Sequence, residues 1–229
     1  MRKSVVYYTD FSAPPELMAL CTAQLQAAAG DAEIITVGLN KSAGFGARVI
    51  FHGERGIQAM HAQILLGLTR ASGDIVYMCE HDVLYHPSHF RGDVSYDDIF
   101  HYNVNVWHAR YPDGHAVYYD AQQVSGLCAS RALLIDFYTA RLAQVKSDGH
   151  NRHYEPGLKQ TVGGQKVENW YSAFPNIDVR HGANLTGSKW SPADFRNPRY
   201  AAGWRETDSL PGWGRLADVF SKGVPEQCR

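Results

Sequence analysis

Two carboxylates separated by one residue follow an apolar run in the segment Ala71-Ser72-Gly73-Asp74-Ile75-Val76-Tyr77-Met78-Cys79-Glu80-His81-Asp82. Packing gives no reason to end a buried strand in acids, so their place there points to chemistry. Oxygen ligands of this kind suit a divalent cation, which in turn would hold a polyphosphate. The run Ile75 to Cys79 is short, partly β-branched and preceded by a Ser-Gly-Asp turn, so it reads as a parallel strand covered on both faces. In open α/β sheets ligands collect beyond the carboxyl ends of such strands. Glu80 and Asp82, on one side of an extended chain, would project into that crevice as metal ligands.

The elements that must position this segment follow from periodicity. Ser4 to Tyr8 reads as a first strand, and Pro14-Pro15-Glu16 opens a helix with Leu17, Leu20, Cys21, Leu25 and Ala28 on its apolar face, stopped by Gly30. Glu33 to Val37 is a second strand, which makes the opening a β-α-β unit and argues for a parallel sheet. A short strand fits Arg48 to Phe51, and a second helix fits Ile57 to Thr69 with Met60, Ile64, Leu65 and Leu68 inward. His86-Pro87-Ser88-His89-Phe90 looks like a short helix entry. Asn103 to His108 and Ala116 to Asp120 flank a Pro-Asp-Gly turn and predict a hairpin. Ser130 to Lys146 is a helix with Ser130 as its cap. Gly149 to Gly164 is polar and reads as a mobile loop. Ile177 to Arg180 is a late short strand, and Gly187 to Arg229, rich in Gly, Pro, Trp and Arg, is assigned little regular structure.

The order strand, helix, strand, irregular segment, helix and then Ala71 to Asp82 resembles the nucleotide-sugar half of GT-A-fold glycosyltransferases, with Glu80-His81-Asp82 in the place of their Asp-x-Asp motif. The likeness runs over about Ser4 to Asp82, and more loosely through Val124-Ser125-Gly126-Leu127-Cys128-Ala129-Ser130-Arg131. The string from Glu80 to Phe90 is also similar to small glycosyltransferases of phage genomes. The resemblance implies one α/β domain with a mostly parallel central sheet flanked by helices. Its nucleotide-sugar half would span about 1–82, its acceptor half about 100–190 and a carboxyl-terminal extension about 191–229. It implies Mn2+ or Mg2+ held by Asp82, Glu80 and His181, the last being the late histidine many such enzymes carry. Imidazole beside carboxylates is acceptable to Mn2+. Thr9, Asp10, Arg55 and Gln63 would meet a nucleoside diphosphate sugar, a UDP-sugar foremost, and Lys189 would neutralise the departing diphosphate. Glu168, in what looks like an acid-bearing helix start, is the candidate base, and Asp120 is its rival.

Composition sets limits on partners. The chain has 229 residues, 45% of them hydrophobic, and a formal net charge of −1, so it lacks the global basic field of non-specific nucleic-acid binders. Its amino terminus has too few apolar residues for a signal-peptide core, and no apolar run reaches membrane-spanning length. Four cysteines without Cys-x-x-Cys spacing suit free thiols in a reducing cytoplasm, that of the host for a phage protein. No obligate protein partner is indicated. The histidines His81, His86, His89, His101 and His108 lack the His-Glu-x-x-His spacing of a zinc hydrolase. Trp107, Trp190, Arg196 and Arg199 are candidate acceptor contacts, through stacking and phosphate pairing. The phage resemblance points to a hydroxymethylated pyrimidine in DNA as acceptor, with a cell-surface glycan or a protein hydroxyl as the open alternatives. Two alternatives stand beside glycosyl transfer: a non-catalytic sugar or nucleotide-sugar binder, and a nucleotidyltransferase, although Tyr8 to Glu16 lacks that class's glycine-rich basic loop.

Overall fold

The computed structural model describes residues 1–92, 94, 98–150 and 166–228. Strand β1 (Lys3–Thr9) is an interior strand of the main sheet, and alternation along it decides the layering. Val6 and Tyr8 face one way, into a core with Ile64 and Leu68 of α2 (Ile57–Arg70) and Leu134 and Phe137 of α3 (Arg131–Asp148). Val5 and Tyr7 face the other way, toward Leu25 of α1 (Pro15–Ala28), Tyr77 and Phe90. Cover on both faces is why β1 reads as an unbroken apolar run.

Beside β1 lie β2 (Glu33–Leu39) and β4 (Ile75–Glu80), both parallel to it, and β3 (Ala47–Phe51) extends the sheet parallel to β2. On the far side of β4 come β9 (Leu127–Ser130), antiparallel to both its neighbours, then β6 (Ile99–Asn103) and β10 (Lys166–Trp170). The seven strands run in the order β10-β6-β9-β4-β1-β2-β3. This is a mixed α/β domain with a mostly parallel central sheet, as expected. Ser130 caps α3 by accepting a hydrogen bond from the Leu133 amide.

A second sheet carries the other wall of the site. After β4 the chain turns at His81 and Asp82 and enters β5 (Val83–Leu84), which pairs with β11 (Asn176–Arg180). Next to β11 lies β7 (Val106–Arg110), parallel to it, then β8 (Ala116–Tyr118) and β12 (Arg205–Thr207). The expected hairpin is the β7–β8 pair. Its apolar face, with Trp107, Ala109, Ile177 and Val179, packs on Leu17 and Cys21 of α1 and on Leu216 and Val219 of α4 (Leu216–Lys222).

Two expectations need correction here. The end of the chain is more ordered than its composition suggests: β13 (Ser209–Leu210) and β14 (Gly214–Arg215) form a small hairpin, and Leu210, Trp213, Leu216 and Val219 are buried in the second core. Glu168 lies not at a helix start but in the edge strand β10, because Val167 and its neighbours pair in register with β6. Most of the loop expected at Gly149 to Gly164 lies outside the described residues. No helix among the described residues is long and apolar enough to cross a membrane.

Candidate functional site

The carboxyl ends of β1 and β4 and the end of β11 open on a cleft of about 700 Å3 lined by Thr9, Asp10, Gln63, Glu80, His81, Asp82, Asp178, Arg180, Lys189 and Trp190 among others. Its centre is built by the crossing from one sheet to the other. The Asp82 carbonyl accepts a hydrogen bond from the Val179 amide at 2.8 Å, which locks the turn after β4 against β11. His181 follows β11 directly, and its ring therefore arrives beside the Asp82 carboxylate, with Nε2 at 3.4 Å from Oδ2. His81, in the same turn as Asp82, brings its ring centroid to 6.1 Å from that of His181.

His81, Asp82 and His181 each offer one ligand atom, and these atoms all lie within 4.8 Å of one another. Among the described residues, both ring nitrogens of His181 and Nε2 of His81 are buried without a hydrogen-bond partner. Buried imidazole nitrogens left unsatisfied are costly, and a cation between the rings removes that cost. The residues therefore fit a metal. Two imidazoles and a carboxylate suit a borderline cation such as Mn2+ better than Mg2+, which demands oxygen. Asn184 orders the group: its side-chain amide donates to Asp82 Oδ2 at 2.7 Å, while its carbonyl oxygen accepts from the His181 backbone amide at 2.9 Å.

Glu80 takes a different role from the one expected. Its carboxylate is the acceptor for the Tyr8 hydroxyl, and its backbone amide donates to the Tyr85 hydroxyl at 3.0 Å. Burial, with the Asp82 charge behind it, pushes the Glu80 carboxyl up to about 8. The histidine between the two acids joins the cluster in its place, because the chain turns at His81 rather than staying extended. Spacing alone hid this, although a histidine flanked by two strand-end acids was a visible signal.

Thr9, Asp10 and Gln63 line the cleft. Gln63 Nε2 donates to the carbonyls of Thr9 and Val37, both at 3.0 Å, and so is committed to holding β1 and β2. Asp10 accepts from Arg55 Nε at 2.7 Å and lies 3.7 Å from His81 Nε2. Although burial opposes ionisation of Asp10, hydrogen bonds from Ser12 and the nearby His81 and Arg55 hold its carboxyl below the usual range. Arg55 also donates to the Ala183 carbonyl at 2.8 Å, tying the loop after β3 to the loop after β11. Lys189 lines the cleft with its ammonium 4.2 Å from the centre of the Phe195 ring.

A second polar pair on the cleft wall was not foreseen. Asp178 and His108 are direct cross-strand partners on β11 and β7, with His108 Nδ1 at 3.3 Å from Asp178 Oδ2. Asp178 is buried, which alone would raise its carboxyl, but the His108 contact and the Arg180 guanidinium bring it below the ordinary value. Arg180 is drawn electrostatically to both Asp178 and Asp82, so it sits between the two groups of acids.

The remaining candidates are not brought together. Glu168 has an exposed side chain 3.5 Å from His101 and is not among the cleft residues. Asp120 accepts from the Tyr118 hydroxyl at 3.0 Å and is not itself among the cleft residues, although its neighbours Tyr119 and Ala121 are. Trp107 is buried in the second core, with the Arg205 guanidinium 5.4 Å from its ring centre. Trp190 does line the cleft, but Arg196 and Arg199 are exposed and outside it, and Arg199 lies over the ring of Tyr200.

No family model and no curated protein matches the chain. Among solved structures it is similar to a nucleotidyl transferase from Methanothermobacter thermautotroptrophicus, with 13% identity over 75% of this chain and 88% of that one and a TM-score of 0.44. It is also similar to the inositol-1-phosphate CTP transferase from T. maritima, with 10% identity over 98% of each chain and a TM-score of 0.43. These findings overturn the resemblance to GT-A glycosyltransferases: the solved structures are nucleotidyl transferases, and no sequence family supports glycosyl transfer. The UDP-sugar donor, the phage connection and the modified-DNA acceptor lose their support with it.

Proposed function

We propose that the protein is a divalent-cation-dependent transferase of the nucleotidyl-transfer class, binding a nucleoside triphosphate and moving its nucleotidyl group to an acceptor. The observation that carries the reading is the convergence of His81, Asp82 and His181 in the cleft, where Nε2 of His81 and both ring nitrogens of His181 are buried without a hydrogen bond among the described residues. A cation there would neutralise phosphate oxygens, and Arg180 and Lys189 add fixed positive charge on the same wall. The glycine-rich basic loop usual in nucleotidyltransferases is absent after β1, and these cations from the β11 side take over its electrostatic task. Asp10 and Thr9, at the end of β1, would meet the nucleoside.

The test is turnover of α-phosphate-labelled nucleoside triphosphates with Mn2+, read as pyrophosphate release, together with the melting temperature across a nucleotide series. Cognate nucleotide with Mn2+ is expected to raise the melting temperature by mass action. Asp82→Asn and His181→Ala are each expected to abolish the metal-dependent part of that rise, with the metal-free melting temperature nearly unchanged. Wild-type protein that neither releases pyrophosphate nor gains stability with any of the four common triphosphates at millimolar concentration would overturn the reading.

A further inference from the structure

We propose that His108, held by Asp178, is the general base that takes the proton from the acceptor. The inference rests on the nucleotidyl-transfer reading for the identity of the reaction, but its geometry stands independently. β7 and β11 are parallel neighbours in register, and His108 and Asp178 are facing partners on them. The alternation Val106-Trp107-His108-Ala109-Arg110 against Asn176-Ile177-Asp178-Val179-Arg180 sends Trp107, Ala109, Ile177 and Val179 into the core and both polar side chains to the cleft wall.

The tautomer follows from the partners. An ionised Asp178 can only accept, so the imidazole nitrogen 3.3 Å from it, Nδ1, carries the hydrogen. That leaves Nε2 with a free lone pair. The Gln123 side-chain nitrogen donates to Nε2 at 2.9 Å, and Gln123 itself lines the cleft. In this arrangement the amide occupies the position that an acceptor hydroxyl would take. Tyr119 stacks on the imidazole, with centroids 4.6 Å apart and planes at 8°, which fixes the ring plane. Arg180, 3.4 Å from Asp178 Oδ1, anchors the carboxylate from its other oxygen. His108 is thus a catalytic residue, and Asp178 a positioning residue that acts through it.

The step balances as follows. The acceptor O–H gives its proton to His108 Nε2 while its oxygen forms a bond to the α-phosphorus. The bond from that phosphorus to the bridging oxygen breaks, and its electron pair leaves with pyrophosphate. The imidazolium then loses its proton to solvent. The dyad explains why neither Glu168 nor Asp120 is needed in the cleft.

Two measurements decide the proposal, each on the full chain. The first is long-range 1H–15N NMR of the His108 imidazole in the diamagnetic protein, assigned by its disappearance in His108→Gln. The expected result is the Nδ1–H tautomer in the wild type, shifting toward Nε2–H in Asp178→Asn, where the amide donates to Nδ1. A dominant Nε2–H tautomer in the wild type would overturn the dyad. The second is Mn2+-dependent hydrolysis of nucleoside triphosphate with water as acceptor. His108→Gln is expected to lower kcat by about 10²- to 10⁴-fold with nucleotide affinity unchanged, and Asp178→Asn to lower kcat with the same split. A purely structural pair would leave kcat at the wild-type value, and that result would overturn the proposal. Wild-type protein without nucleotide binding or hydrolysis would remove the nucleotidyl-transfer reading. The tautomer alone then decides the dyad, Nδ1–H with its dependence on Asp178 sustaining it and Nε2–H ending it.

Discussion

At the residue scale the informative contrast is between Glu80 and His81. Both sit at the mouth of the same cleft, yet Glu80 is committed to the Tyr8 hydroxyl, whereas Nε2 of His81 is buried with no hydrogen bond. The Glu80 carboxyl is raised by burial and by Asp82 and already holds the Tyr8 hydroxyl, a contact that an amide of the same shape keeps. Glu80→Gln is therefore expected to leave Mn2+ affinity within about threefold of wild type, since the change is worth well under the ~1.4 kcal/mol of a tenfold shift. His81→Ala is expected to weaken it by at least tenfold, because a ligand is lost rather than a neighbour. Isothermal titration of the two variants with Mn2+ checks the ranking. The reverse order would restore Glu80 as the ligand and leave His81 as a loop residue.

At the element scale the carboxyl-terminal tail carries more of the fold than its composition suggests. Trp213 is fully buried in the second core with its ring against His86, and its indole nitrogen donates to the Pro175 carbonyl at 2.8 Å. Trp213→Ala is expected to cost about 3–5 kcal/mol of unfolding free energy, the range for truncating a large buried aromatic. A urea midpoint lowered by less than ~1 kcal/mol would make the tail an appendage. The same contrast explains what could be read from sequence. Helices α1 and α2 and strands β1, β2 and β4 followed from periodicity and local turn residues, because each buries a face that its own sequence marks. The tail has short elements whose burial depends on α1 and the second sheet, so local pattern carried little information. His81 and the Asp178–His108 pair were missed for a related reason: both depend on the turn after β4 carrying the chain from one sheet into another. The alternation in β7 and β11 did single out His108 and Asp178 as the polar positions of otherwise apolar strands, but nothing local set the two strands side by side.

At the scale of the whole molecule, stability against acid is set by buried histidines that are not among the cleft-lining residues. His89 is completely buried, stacked on Trp170 at 5.8 Å, with Nδ1 3.0 Å from the Asn103 side-chain nitrogen and Nε2 unpaired. Burial drops its pKa from 6.5 to about 3. His61, packed edge-on against Tyr138 between α2 and α3, falls to about 3 as well, through burial first and the Arg141 charge second. For both groups the unfolded chain binds more protons than the folded one between those values. Their contribution is therefore complete above about pH 6.5 and is lost progressively as pH falls toward 3. Each group adds a slope of up to about 1.4 kcal/mol per pH unit inside that window. Replacing both, as His61→Leu with His89→Phe, removes the proton uptake while keeping apolar bulk, and Asn103 retains its 2.9 Å bond to Ser172. Urea midpoints measured without metal at pH 7.5 and pH 5.0 should fall with pH in the wild type and fall much less in the double variant. Equal pH sensitivity in the two proteins would move the acid lability to the carboxylates of the cleft.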